Sequence, residues 1–147
     1  MRSLKITFYP PRNLKTVILK SHSFSDFVLD VDIDPQDNDA IDIVLRHTGN
    51  IFSAIPSGQY YRLSLGGGNG TPANQITSLS VIIDNEPSAP TFTSVFDEKG
   101  STHGFSPGVP FKLTFKFIGN AYSIYMDDVL KYSGTDSTIS TGMIGLS

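Results

Sequence analysis

The sequence predicts an all-β fold, an antiparallel β-sandwich built around one core. Three observations carry this. No segment of helix length shows a helical repeat of apolar positions, whereas alternation with period two recurs along the chain. Its 13 Gly and nine Pro cut the 147 residues into short runs. Ten Phe and six Tyr supply the bulk that a two-layer core needs.

The strands follow in order. Thr16 to His22 is the first, with Val17 and Leu19 on one face. Phe27 to Asp34 alternates strictly: Phe27, Leu29, Val31 and Ile33 point inward, and Val28, Asp30, Asp32 and Asp34 outward. Ile41 to His47 turns Ile41, Ile43 and Leu45 inward, and Asp42, Val44 and Arg46 outward. Tyr60 to Leu65 turns Tyr61, Leu63 and Leu65 inward, and Tyr60, Arg62 and Ser64 outward. Leu79 to Asp84 is a continuous apolar run, as expected of a covered strand.

Thr91 to Phe96 follows the breaker Pro87-Ser88-Ala89-Pro90. Phe111 to Ile118 sets Phe111, Leu113, Phe115 and Phe117 on one face. Gly119-Asn120 is a two-residue hairpin signal, answered by Tyr122 to Met126. Short strands close the chain at Val129 to Ser133 and Met143 to Leu146. About eight to ten short strands with turn signals between them make a sandwich or barrel, one face of each strand apolar and the other solvated. Gly66 to Pro72 is a loop inside this single domain of residues 1–147.

Charge narrows the partners. The formal net charge is −3, and the 11 basic residues are scattered. A nucleic-acid surface needs clustered Lys and Arg, and a polybasic membrane patch needs the same. No stretch has the length of a membrane helix, and Met1 to Pro11 holds no apolar run of signal-peptide length. The absence of Cys removes disulfides and thiol catalysis.

Catalytic motifs are missing as well. His22, His47 and His103 have no zinc spacing, and no Ser, His and Asp arrangement has a nucleophile-elbow context. The Gly66–Gly70 run lacks the Lys-Ser/Thr of a phosphate loop.

Seven of the 14 acidic residues fall between Asp26 and Asp42. Pairing Ile33 with Ile41 would bring Asp32 opposite Asp42, an unfavourable like-charge contact. Pairing Ile43 with Leu63 sets Ser64 beside Asp42 and Tyr60 beside Arg46, with Arg62 diagonal to both Asp42 and Arg46. The patch of Asp32, Asp42, Arg46, Tyr60 and Arg62 offers planar donors, acceptors and an aromatic ring, a mixture suited to a sugar. A surface salt-bridge ladder accounts for the same residues. The chain has no Trp for stacking, so the outward Tyr125 joins Tyr60 as a candidate platform.

Three segments carry a family resemblance. Phe24-Ser25-Asp26-Phe27-Val28-Leu29-Asp30-Val31-Asp32-Ile33 and Tyr60-Tyr61-Arg62-Leu63-Ser64-Leu65 are similar to strands of concanavalin A-like, laminin-G and glucanase-type jelly rolls. So are Phe111 to Asn120, Ser123 to Asp128, Thr135-Asp136-Ser137 and Gly142 to Leu146, which resemble the late hairpin of that group. Asp128 stands where the group usually has Gly in the turn.

The resemblance implies a concanavalin A-like jelly roll whose first and last strands lie side by side. It also implies a glycan- or polysaccharide-binding module of a larger parent protein, exposed outside the cell or on a cell or virion surface. Phage baseplate and fibre proteins carry such modules for host attachment. A structural or adhesion domain that faces protein in such an assembly is the alternative. Jelly-roll lectins often hold calcium, which would place a metal at Asp34, Asp37 and Asp39 beside Asn38; a hydrophilic turn is the plainer reading of these residues. The glucanases of the group use an E-x-D-x-x-E strand, and this chain has only Glu86 and Glu98, each beside turn residues. No enzymatic activity is expected.

Overall fold

The computed structural model describes residues 2–8, 17–18, 22–49, 58–84 and 89–146. These form eleven strands: β1 (Arg2–Phe8), β2 (Val17–Ile18), β3 (Phe27–Ile33), β4 (Ile41–Thr48), β5 (Gly58–Gly66), β6 (Ile76–Asp84), β7 (Thr91–Lys99), β8 (Phe111–Ile118), β9 (Ala121–Met126), β10 (Val129–Thr135) and β11 (Met143–Leu146). They stack as two sheets, one ordered β1-β3-β8-β9-β10 and the other β2-β11-β4-β5-β6-β7. All pairings are antiparallel except β1 with β3, which is parallel. The sequence reading had not assigned β1. Of the predicted first strand, Thr16 to His22, Val17–Ile18 is observed, and residues 16 and 19–21 lie outside the described residues.

The core fills the space between the sheets, and the alternation explains its composition. Phe27, Leu29, Val31 and Ile33 of β3 are buried, as are Leu113, Phe115 and Phe117 of β8. They meet Ile43, Leu45, Tyr61, Leu63, Leu65 and Leu79 of the other sheet. Tyr122 and Ile124 complete the hairpin's contribution. Gly119 has φ 55 and Asn120 does not share its sign, the signature of a two-residue turn with Gly in first place.

One topological expectation is corrected. β3 and β4 do not pair; they belong to different sheets. The loop of residues 34–40 is much longer than a hairpin turn, so it can cross from one layer to the other. This crossing removes the Asp32–Asp42 clash: Asp32 stands opposite Lys112 and 3.7 Å from Lys5. The last strand lies beside β2, the observed part of the predicted first strand, as the resemblance implied, and has β4 on its other side.

The register between β4 and β5 does hold, with Ile43 opposite Leu63 and Asp42 opposite Ser64. It breaks after Leu45, where β4 carries one residue more than β5 before pairing resumes at Thr48 with Gln59. β11 meets the same irregularity, with Gly145 opposite Val44 and Met143 opposite His47. Arg46 is the residue turned by this bulge, with φ 50.

Candidate functional site

Beyond the bulge, the outer face of the six-stranded sheet is laid out in rows across the strands. One row runs Met143, His47, Tyr60, Ile82 and Phe92. Its His47 and Tyr60 rings are stacked, with centroids 5.4 Å apart. The next row is Gly145, Val44, Arg62, Ser80 and Ser94. The third is Asp42, Ser64, Ser78 and Asp97. The Arg62 guanidinium lies over the Phe92 ring at 5.5 Å from its centroid, and the Ser64 hydroxyl donates to Asp42 Oδ1.

Burial on this face is uneven. Val44, His47 and Ile82 are buried, although Val44 and Ile82 do not belong to the core cluster. They form an apolar floor. Tyr60 and Arg62 are half-buried above it, and Phe92 is 57% exposed. Burial pushes the Tyr60 hydroxyl above its ordinary pKa; Arg62 pulls it back, and Asp84 and Asp42 push it further up. Burial pulls His47 below the ordinary imidazole value, which favours the neutral ring. Among the described residues, His47 Nδ1 and Asp84 Oδ1 are buried with no hydrogen-bond partner.

The expected patch is therefore partly assembled. Asp42, Tyr60 and Arg62 share this face. Arg46 does not: the bulge turns it into the interior, where it is fully buried. There Nη1 donates to Ile139 O at 2.8 Å, and Nη2 donates to Ser25 O and to Gly119 O. The guanidinium carbon sits 3.6 Å from the centroid of Phe117. A group so enclosed ties strands together and has no surface to offer a ligand. His47 takes the place beside Tyr60 that alternation gave to Arg46.

Asp32 and Tyr125 are on the outer face of the opposite sheet. Tyr125 points outward as expected and lies under Lys116, whose Nζ is 4.8 Å from the ring centroid. A sandwich about 10 Å thick separates it from Arg62, so the two do not share a site. The salt-bridge ladder is absent from the six-stranded face: among the described residues, the ion pairs are Lys5–Asp32 and Lys112–Asp128.

Asp34, Asp37 and Asp39 lie in the loop after β3. Asp37 Oδ1 accepts the Asp39 backbone N–H at 3.1 Å, an Asx turn. Among the described residues no three His, Cys, Asp or Glu side chains are grouped as metal ligands would be.

No protein-family model matches the chain, and no curated protein does. Solved structures do match. The carbohydrate-binding module CBM66 from Bacillus subtilis superposes with a TM-score of 0.62 at 20% identity, over 86% of this chain and 68% of that one. Sheep galectin-11, solved in complex with glycerol, gives 0.58 at 16% identity, over 93% and 90%. The chain has the concanavalin A-like jelly-roll fold. A family 16 glycoside hydrolase endo-glucanase from Bacteroides ovatus shares this jelly roll, with a TM-score of 0.56 at 12% identity, over 86% of this chain and 56% of that one.

Sequence reasoning missed His47, Ile82 and Phe92 as members of the face. Phe92 could have been found, because pairing Ile82 with Phe92 follows from the two flanking runs once β6 and β7 are read as a hairpin. His47 could not, because nothing local marks a one-residue bulge between two polar residues.

Proposed function

We propose that this domain is a non-catalytic carbohydrate-binding module, and that its ligand lies on the outer face of the six-stranded sheet. The observation that carries the reading is the combination found there. A half-buried Tyr60 and an exposed Phe92 flank Arg62, which has no ion-pair partner among the described residues, with Ser78, Ser80 and Asp42 close by. Rings supply stacking surface for the C–H face of a sugar, and a planar guanidinium with neighbouring hydroxyls and a carboxylate suits its paired hydroxyls. Structural similarity to a carbohydrate-binding module supports the same reading.

The carboxylates argue for binding without cleavage. Glycoside hydrolysis needs two carboxyl groups about 5–9.5 Å apart across the bond. On this face Asp42 and Asp97 end a row spanning four strands, about 14 Å at the usual strand spacing. Asp84 lies three rows from Asp42, about 20 Å along the strands.

Affinity electrophoresis against soluble polysaccharides tests the binding, and release of reducing ends tests for turnover. Binding lost in Arg62→Ala with an unchanged circular dichroism spectrum is expected. Turnover by the purified chain would overturn the non-catalytic assignment.

One observation favours a second reading, an adhesion domain that contacts protein. Val129 and Leu130 at the start of the edge strand β10 are 57% and 51% exposed. Light scattering after size exclusion distinguishes the readings: an oligomer dispersed by Leu130→Ser would favour protein contact through this edge.

A further inference from the structure

The face described above also carries information about which class of glycan it fits. Its charges are unbalanced. Among the described residues Asp42, Asp84 and Asp97 stand on it against the cations Arg62 and Lys99, and the chain as a whole has a formal charge of −3. One oxygen of Asp84 is buried with no donor among the described residues. A carboxylate oxygen is an acceptor only, so what it lacks is a hydroxyl or amide donor. An acidic sugar would bring further acceptors and negative charge to a place already short of donors.

The shape is equally directional. Met143, His47, Tyr60, Ile82 and Phe92 form a band across five adjacent strands, about 19 Å long at the usual strand spacing. Tyr60 and Phe92 stand two strands apart on it, with the buried Ile82 as floor between them. That length exceeds one sugar ring and fits a short run of linked units.

We propose that this face takes an uncharged, hydroxyl-rich polysaccharide chain laid across the strands along the Tyr60–Phe92 band, and that its carboxylates turn acidic glycans away. The inference rests on the glycan-binding reading. Hydroxyl donors of the chain complement Asp84, one row from the band, and its C–H faces rest on the two rings, while Asp42 and Asp97 act on it only through their charge. Arg62, spread over Phe92, supplies a donor fork to one pair of ring oxygens.

Isothermal titration of the whole chain provides the test, with uncharged polysaccharides (glucan, mannan, galactan, fructan) run beside acidic ones (polygalacturonate, alginate). The expected result is binding to at least one uncharged polymer and to no acidic one. That affinity should rise with oligosaccharide length and stay unchanged between low and high salt, since a neutral ligand has no charge to screen. Phe92→Ala, at an exposed position, should weaken it about tenfold. The double variant Asp42→Asn, Asp97→Asn should make acidic polymers bind measurably. Acidic polymers bound as tightly as neutral ones by the unaltered chain, or a monosaccharide bound as tightly as its oligomers, would overturn this inference and leave the glycan reading standing. Binding to neither class would overturn the glycan reading and this inference with it.

Discussion

Arg46 and Tyr61 show what single side chains contribute once strands have been placed. The Arg46 guanidinium donates to three backbone carbonyls from three separate segments. Burial lowers its pKa, and nearby Tyr61 and Asp26 act the other way. Arg46→Ala would leave those carbonyls without donors and should cost about 3 kcal/mol or more, read from urea unfolding midpoints. Arg46→Lys should rescue little, because one ammonium cannot reproduce a planar fork. Tyr61 donates to Asp136 and accepts the Ile139 N–H at 3.1 Å. Burial first, and then the bond to Asp136, raises its pKa from 10.0 to about 12. A group raised on folding stabilises fully below its unfolded value and loses that contribution as pH rises through the folded one. Stability should therefore decline between pH 10 and about 12. Ultraviolet titration should find several tyrosines ionising late, with the component near pH 12 missing in Tyr61→Phe.

Elements set the scale for the hairpin and the bulge. The β9–β10 turn holds both Asp127 and Asp128 at positive φ, 49 and 66. That is the turn in which Gly is favoured at the second position, and Asp128 occupies it. Asp128→Gly should relieve about 1 kcal/mol of left-handed strain and give up only an exposed ion pair with Lys112. A small rise in melting temperature is the expected outcome. The bulge in β4 shows the limit of pattern reading. The register of β4 with β5 was legible up to Leu45, because apolar alternation fixes it. Past that point one inserted residue swaps the faces of Arg46 and His47. Tyr125 is the converse case: its outward direction was legible, and its sheet was not.

At the scale of the molecule, the two layers are joined by side chains that belong to neither alone. Phe117 of β8 packs on Tyr61 of β5, with ring centroids 5.2 Å apart, and carries the Arg46 guanidinium on its face. Phe117→Ala should cost about 3–5 kcal/mol. Because the loss falls on both sheets, unfolding followed by circular dichroism and by tyrosine fluorescence should stay coincident in the wild type. Separate transitions would mean that the sheets are not one cooperative unit. A saturating glycan bound to the folded face should raise the melting temperature in proportion to the logarithm of its concentration.

The sequence alone determined which side of each strand is oily, and with it the class of fold. Successive side chains leave a strand on opposite faces, and that is a local property of the backbone. Tertiary structure decided which strands became neighbours, which acidic residues were parted by the crossing at residues 34–40, and which polar side chain the bulge drew inside. Those outcomes depend on contacts between distant segments competing for the same core, and no short window of residues contains both competitors.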